Sequence, residues 1–373
     1  MSRSSRTFRG TYFSCMSVQS VSRILAVAFC LVSACTPQQE PDQEPQVRIL
    51  ELQVPANFPE PEKVMAGYPL SEEGVELGRK LFYDTRLSGS NTISCASCHQ
   101  QQLAFTDGVA LNKGAAGTPL LRHSPGLANL AWMNGTFWDG GAKNLESQAF
   151  GPITAPDEMN QNLQELVSEL TAVPDYVASF RLIFQDEIKP AYIARALAQF
   201  QRTLISANSR YDKYVRQEPG GKMSELELKG LTLVQQKCGS CHAGDLFTDN
   251  GYHNNGLDSD FSNHSYEGIF QGRYRITHHP ADVGKFKTPT LRNVLVTAPY
   301  MHDGRFATLE EVLRHYSQGI RASPTVAAAV MQGAEGVAGI PLSVEEKQAI
   351  IAFLETLTDY EFIQNEKFSS PFN

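Results

Sequence analysis

The sequence predicts a mostly α-helical protein made of two related halves. Three observations carry that expectation: capping boxes ahead of helical apolar periods, a C-x-x-C-H motif in each half, and a sequence block that recurs at a constant offset. At 373 residues the chain can supply two compact domains, each with its own core.

The N-terminus comes first. Arg23 precedes the apolar run Ile24 to Val32 and then Ser33-Ala34-Cys35, which reads as a signal peptide too short to span a bilayer as a helix. Small residues before a cysteine resemble a bacterial lipobox, so residues 1–35 are expected to leave as a lipoprotein signal with Cys35 lipidated; cleavage after Ala34 without lipid is the alternative. The polar, proline-rich residues 36–50 read as a flexible tether between membrane and folded body. Folded domains are expected over 51–205 and 206–373. The protein is expected to be exported and anchored by lipid in the periplasm or cell envelope.

Loss of residues 1–35 removes Arg3, Arg6, Arg9 and Arg23 and no acid, taking the formal charge from −8 to −12. Such a surface argues against nucleic acid and suits a basic protein partner.

Of seven cysteines, Cys15 and Cys30 go with the signal, Cys35 takes lipid, and four remain as two C-x-x-C pairs. In Cys95-Ala-Ser-Cys98-His99 and Cys238-Gly-Ser-Cys241-His242 the two thiols have the spacing to reach the vinyl groups of a haem, and the following histidine can reach its iron. Two covalently bound haem c groups are therefore expected, with His99 and His242 as axial ligands. Zinc would want further Cys or His pairs, and a thioredoxin-like reading lacks the strands. The flanks are helical: Ser224-x-x-Glu227 precedes Leu228, Leu231 and Val234, and Ser343-x-x-Glu346 precedes Ile350, Phe353, Leu354 and Leu357.

The repeated block runs Pro125-Gly-Leu127-Ala-Asn129, Asp139-Gly140 and Leu145-Glu146. It returns 164 residues later as Pro289-Thr-Leu291-Arg-Asn293, Asp303-Gly304 and Leu309-Glu310. From histidine to Asp-Gly is 40 residues in the first half and 61 in the second. At one matched position the first half carries Trp138 and the second His302, which points to different work for the two haems.

These motifs, together with Phe137-Trp138-Asp139-Gly140, Pro156-Asp157-Glu158-Met159 and Tyr300-Met-His-Asp-Gly304, resemble the bacterial dihaem cytochrome c peroxidase and MauG family from about Gly78 to the C-terminus. The resemblance implies an all-α fold of two cytochrome c-like haem domains facing each other. It implies that the first haem reacts with hydrogen peroxide and that electrons pass from the second through Trp138. Glu158 stands at the family's proton-transferring position, and Gln148 matches a glutamine of the same pocket. Activated relatives place a removable distal histidine midway between His99 and Trp138. Between His99 and Trp138 the histidine available as a sixth ligand is His123; residues 100–122 hold no histidine or methionine, and Gly114-Ala-Ala-Gly117 occupies the family's place, so the first haem is expected to be five-coordinate.

For the second haem the register places the family's sixth ligand on Tyr316, the residue type of the MauG branch, with Met301 as rival; His315 would point elsewhere on a helix. A calcium ion bound by an asparagine side chain and two carbonyls maps onto His123, Thr297 and Pro299, and histidine is a poor calcium ligand. The MauG branch has a relay tryptophan two residues before the second attachment cysteine, where this chain has Gln236, so that branch's substrate maturation is not implied. His278-His279 reads as loop polarity.

Three functions remain open. One is a peroxidase fed by a small cytochrome c or a cupredoxin. Another is a MauG-like oxidase that turns peroxide-derived oxidising power on a partner protein. The last is a non-catalytic dihaem electron carrier. Family relatives are often homodimers.

Overall fold

The computed structural model describes residues 46–61, 69–333 and 338–372. The signal peptide, Cys35 and most of the tether lie outside the described residues. As expected, the protein is mostly helical.

The helix Glu72–Tyr83 starts where the Ser71 hydroxyl accepts from the Gly74 N–H, with Glu72 and Glu73 at its positive end and Lys80 in its last turn. Its Leu77, Leu81 and Phe82 face inward, and the helix packs against Pro190–Arg202. The two helices meet at Gly78, where a Cβ would lie 1.9 Å from the Ala196 carbonyl oxygen. Only glycine permits that approach. Helices Leu163–Thr171 and Pro174–Phe184 complete this core with Leu166, Leu170, Tyr176 and Phe180.

The second half uses the same joint. Glu225–Lys237 begins at the capping box of Ser224 and Glu227, and Val344–Glu355 at that of Ser343 and Glu346, both as predicted. They cross at Gly230, where a Cβ would fall 1.9 Å from the Ala349 carbonyl oxygen. Val234, Ile350, Phe353 and Leu357 fill a separate core. Helix Leu309–Arg314 packs on it through Leu309 and Leu313.

The repeated block has one backbone shape in both halves. Asn129 and Asn293 are left-handed, with φ of 62° and 59°, and each opens a 3₁₀ turn, Leu130–Trp132 and Val294–Val296. The next bends, Phe137 and Met301, are left-handed too, inside the short bridges Thr136 to Ala142 and Tyr300 to Phe306. The named strands among the described residues, Tyr252–His253 and Phe286–Lys287, pair antiparallel with Tyr252 opposite Lys287.

Both repeated asparagines converge on Ser206. Asn129 Oδ1 accepts from the Ser206 N–H at 2.8 Å, while Asn293 Nδ2 donates to the Ser206 hydroxyl at 2.9 Å. Beside them Arg292 and Asp212 form a fully buried ion pair at 2.7 Å. The C-terminal segment, assigned by the sequence division to the second half, packs on the first. Phe362 lies 5.6 Å from Phe105 between ring centres, and Arg79 Nε donates to the Ser369 carbonyl.

Candidate functional site

Each attachment motif is one helical turn followed by a chain reversal. Cys95–Cys98 forms the first turn, and the His99 N–H returns to the Cys95 carbonyl at 3.0 Å. Left-handed Ala104 and Phe105 then fold the chain back so that His99 Nδ1 donates to the Phe105 carbonyl at 2.8 Å. The second motif repeats this: the His242 N–H reaches the Cys238 carbonyl at 2.9 Å, and Nδ1 donates to the carbonyl of left-handed Phe247 at 3.1 Å. The carbonyl fixes the proton on Nδ1 and leaves the Nε2 lone pair for a metal. Burial holds both imidazoles below the usual histidine value, in the neutral form that ligation needs.

The four cysteines are free, and they share with both histidines a cavity of about 940 Å³ walled by the two halves. Burial pushes the Cys95 thiol up to about 12 and the Cys238 thiol to about 11. Paired thiols, an oriented Nε2 and a largely apolar chamber fit haem c on each motif.

The first side of the chamber holds the predicted acid and amide. Glu158 and Gln148 both line the cavity, Gln148 at the end of the turn Leu145–Gln148. Burial, with a smaller push from Asp157, raises the Glu158 carboxyl to about 7. Its negative charge in turn contributes to raising the Cys98 thiol to about 11, behind burial and Asp107. The Gly114–Gly117 turn closes over this acid: the Ala115 N–H donates to the Glu158 carbonyl at 2.7 Å, and a Cβ on Gly114 would lie 1.9 Å from the Asp157 carbonyl oxygen.

Trp138 bridges the halves. Its indole N–H donates to the His123 carbonyl at 2.8 Å, and its own carbonyl accepts from the Lys287 N–H at 2.7 Å. The His302 carbonyl in turn accepts from the His123 N–H at 2.9 Å. The His302 ring stacks on Phe286 with centres 3.6 Å apart, and the Arg122 guanidinium lies 4.7 Å from the same Phe286 ring. Burial, with the Arg122 charge behind it, drives His302 down to about 3 and keeps it neutral.

Tyr316, half-buried, lines the cavity on the second side. Helix Leu309–Arg314 runs into a π-type turn, His315–Gly319, a form common where a side chain must be re-aimed. Burial raises the Tyr316 phenol to about 12, with the Cys238 and Cys241 sulfurs adding to it. Asn255 Nδ2 donates to the Tyr316 oxygen at 3.4 Å and reaches Met301 Sδ at 3.5 Å. His315 does point elsewhere: its Nε2 donates to the Asn255 carbonyl at 3.0 Å.

Thr297 and Pro299 also line the cavity. His123 is 4 % exposed, its Nδ1 donates to the Val109 carbonyl at 2.9 Å, and its buried Nε2 has no partner. That nitrogen offers none of the oxygen chemistry calcium requires; the oxygens nearby are the Thr297 and Pro299 carbonyls and the buried Asp107 carboxylate, 3.8 Å from His123 Nδ1. Gln236 is exposed, and His279 Nδ1 accepts from the Ala281 N–H within its own turn.

The sequence reading missed Asn255, Arg122, Phe286 and Lys287. The buried Lys287 ammonium, pushed down to about 8 by burial, donates to the Asn134 carbonyl at 2.8 Å and so ties the halves together. No spacing rule marks these residues, because loops and the two-residue strand Phe286–Lys287 deliver them.

Residues 72–220 match the protein family described as di-haem cytochrome c peroxidase. The chain is 37 % identical over 308 residues to the methylamine utilization protein MauG of Methylorubrum extorquens, covering 81 % of this chain and 83 % of that protein. It is 34 % identical over 323 residues to the cytochrome-c peroxidase IdrP1 of a Pseudomonas species, covering 78 % and 82 %. Among solved structures it resembles a MauG-like protein associated with microbial copper homeostasis, with a TM-score of 0.77 and 36 % identity over 87 % of this chain and 100 % of that one.

Proposed function

Since the chain belongs to the family of di-haem cytochrome c peroxidases and MauG proteins, and is an oxidoreductase acting on peroxide, we propose that it reduces hydrogen peroxide to water with electrons from a small cytochrome c or cupredoxin. One peroxide takes two electrons and two protons and leaves as two waters. When bound, the haems supply the iron that binds and splits peroxide and the redox centres that hold the electrons.

The chain's residues do the rest. Glu158 moves a proton between the two peroxide oxygens, which a carboxyl titrating at about 7 can both give and take. Gln148 orients peroxide through its amide. Trp138, bonded to His123 on one side and Lys287 on the other, is the electron relay between the halves. Tyr316 would help hold the second haem's iron through its phenol, opposite in role to the open first pocket. Beyond the described residues, Cys35 carries the lipid and the tether holds the folded body at the envelope surface. Calcium has no part in this reading, and a chelator is expected to leave both haem spectra unchanged.

The observation that carries the proposal is the first pocket. It places a half-buried acid titrating at about 7 and an amide in the chamber of His99, while residues 100–122 supply no histidine or methionine and the neighbouring His123 is held by its Nδ1 on the Val109 carbonyl. Electron paramagnetic resonance of the fully oxidised protein tests it: a high-spin signal that vanishes with stoichiometric peroxide is expected. Two low-spin, peroxide-inert haems would return the protein to the electron carriers.

A second reading, a MauG-like oxidase of a partner protein, is favoured by Tyr316 in the second side of the cavity and by the likeness to MauG. Rapid consumption of peroxide without oxidation of any small redox donor would select it.

A further inference from the structure

Three side chains around Asn255 could bind iron: Met301, His315 and Tyr316. All three touch one residue. Asn255 accepts the His315 Nε2 proton on its carbonyl at 3.0 Å, and its side-chain nitrogen lies 3.4 Å from the Tyr316 oxygen and 3.5 Å from Met301 Sδ.

The backbone around Asn255 is clamped. Asn254 is 1 % exposed, its Nδ2 donates to Ser323 Oγ at 3.0 Å and Thr325 Oγ1 at 2.8 Å, and its carbonyl accepts from the Ala327 N–H at 2.9 Å. On the other side the left-handed Gly256 accepts from the Arg321 N–H at 2.8 Å and has no room for a Cβ, which would lie 2.6 Å from Ile320 Cγ2. The Asn255 amide therefore has little freedom to leave its two contacts.

We infer that Asn255 is the positioning residue that decides which side chain becomes the sixth ligand of the second haem. The inference rests on the reading that this haem takes a ligand from the chain. The Asn255 carbonyl occupies His315 Nε2 and holds its ring beside Phe306, at 5.4 Å between centres. The amide N–H groups divide the other two candidates by hardness. The amide donor stands 3.4 Å from the phenolic oxygen, a long contact that shortens as that oxygen gains negative charge, and the π-type turn gives Tyr316 the reach to stand there. The same amide lies 3.5 Å from Met301 Sδ, an ordinary N–H···S distance, and holds the flexible thioether on itself rather than on the metal. Met301 itself sits at φ 76°, a strained setting for its backbone that fixes the stem of the side chain.

The test compares the ferric full-length holoprotein with Asn255→Leu, Asn255→Asp, Met301→Leu and Tyr316→Phe, read by electron paramagnetic resonance, the sulfur-to-iron charge-transfer band and the reduction potential of the second haem. Asn255→Asp keeps the shape of the amide and loses its donors, so it stands in should the leucine variant fail to load both haems. The expected result is a fall of about tenfold or more in the ratio of tyrosine- to methionine-ligated protein in both Asn255 variants, with the sulfur band appearing and then disappearing on adding Met301→Leu. A second haem that changes in Tyr316→Phe but stays as wild type in both Asn255 variants overturns the role of Asn255. A second haem unaltered in Tyr316→Phe overturns the ligand reading beneath it, and the inference falls with it.

Discussion

Pro152 and Tyr316 stand 164 residues apart, at the same step beyond the same helix start, and both line the cavity. In the first half the turn Leu145–Gln148 breaks at Ala149 and resumes as Phe150–Thr154 around Pro152. In the second, Leu309–Arg314 continues into the π-type turn that carries Tyr316. One frame thus ends in a residue with nothing to offer iron and the other in a phenol. Gln148 in the first half likewise matches Val312 in the second. The two halves share their scaffold and differ in what the scaffold presents, which is how one repeat can yield a reactive pocket and a ligated one.

Breaking the reactive pocket should have the largest effect. Glu158→Gln keeps the size of the side chain and removes its proton, so peroxide turnover should fall by about 10²- to 10⁴-fold with both haems still attached, as steady-state kinetics and haem staining would show. Turnover within a fewfold of wild type would remove Glu158 from the chemistry. Cutting the link between the halves comes next. In Trp138→Phe the loss of the high-spin signal with peroxide should persist while peroxide-dependent oxidation of the donor collapses in stopped-flow traces; unchanged donor oxidation would leave Trp138 as packing alone.

Much of this comparison was legible because its signals are local or periodic. The capping boxes at Ser224 and Ser343 are three-residue rules, and both begin helices. The 164-residue offset placed Asn129 opposite Asn293, and both adopt the same left-handed turn. Tyr316 is singled out by the family's register after the Asp-Gly turn, and the π-type turn that carries it has no sequence rule. Asn255 was invisible, since it lies 46 residues from Met301 and 61 from Tyr316, and the loop between them sets their approach. The stack of His302 on Phe286 and the return of Phe362 to the first core escaped for the same reason. Contacts between distant loops leave no period to read.

A smaller effect should appear where the repeat itself is asymmetric. Arg292 stands where the first half has Ala128, and it holds Asp212 in a pair with neither side chain exposed. Asp212→Ala leaves the guanidinium buried and unpaired, which should cost about 3–5 kcal/mol in chemical denaturation. Replacing the pair together, with Arg292→Met added, should recover a good part of it; a double variant no more stable than the single one would show that the pair is worth more than its charges.

The finest probe of the difference between the pockets is pH. Burial, with Asp157 behind it, raises the Glu158 carboxyl from 4.5 to about 7. In the unfolded chain that carboxyl ionises near 4.5, so between the two values the folded state keeps a proton the unfolded state has released. Folding stability therefore falls as pH rises through this window, by up to about 3 kcal/mol, and the cost is absent below it, where both states are protonated. Glu158→Gln abolishes the titration. The variant should melt together with wild type near pH 4 and progressively above it up to about pH 7, with a constant gap beyond. Melting curves that stay parallel across the range would mean that Glu158 ionises as an ordinary solvated acid, and the first pocket would lose the near-neutral proton donor that separates it from the second.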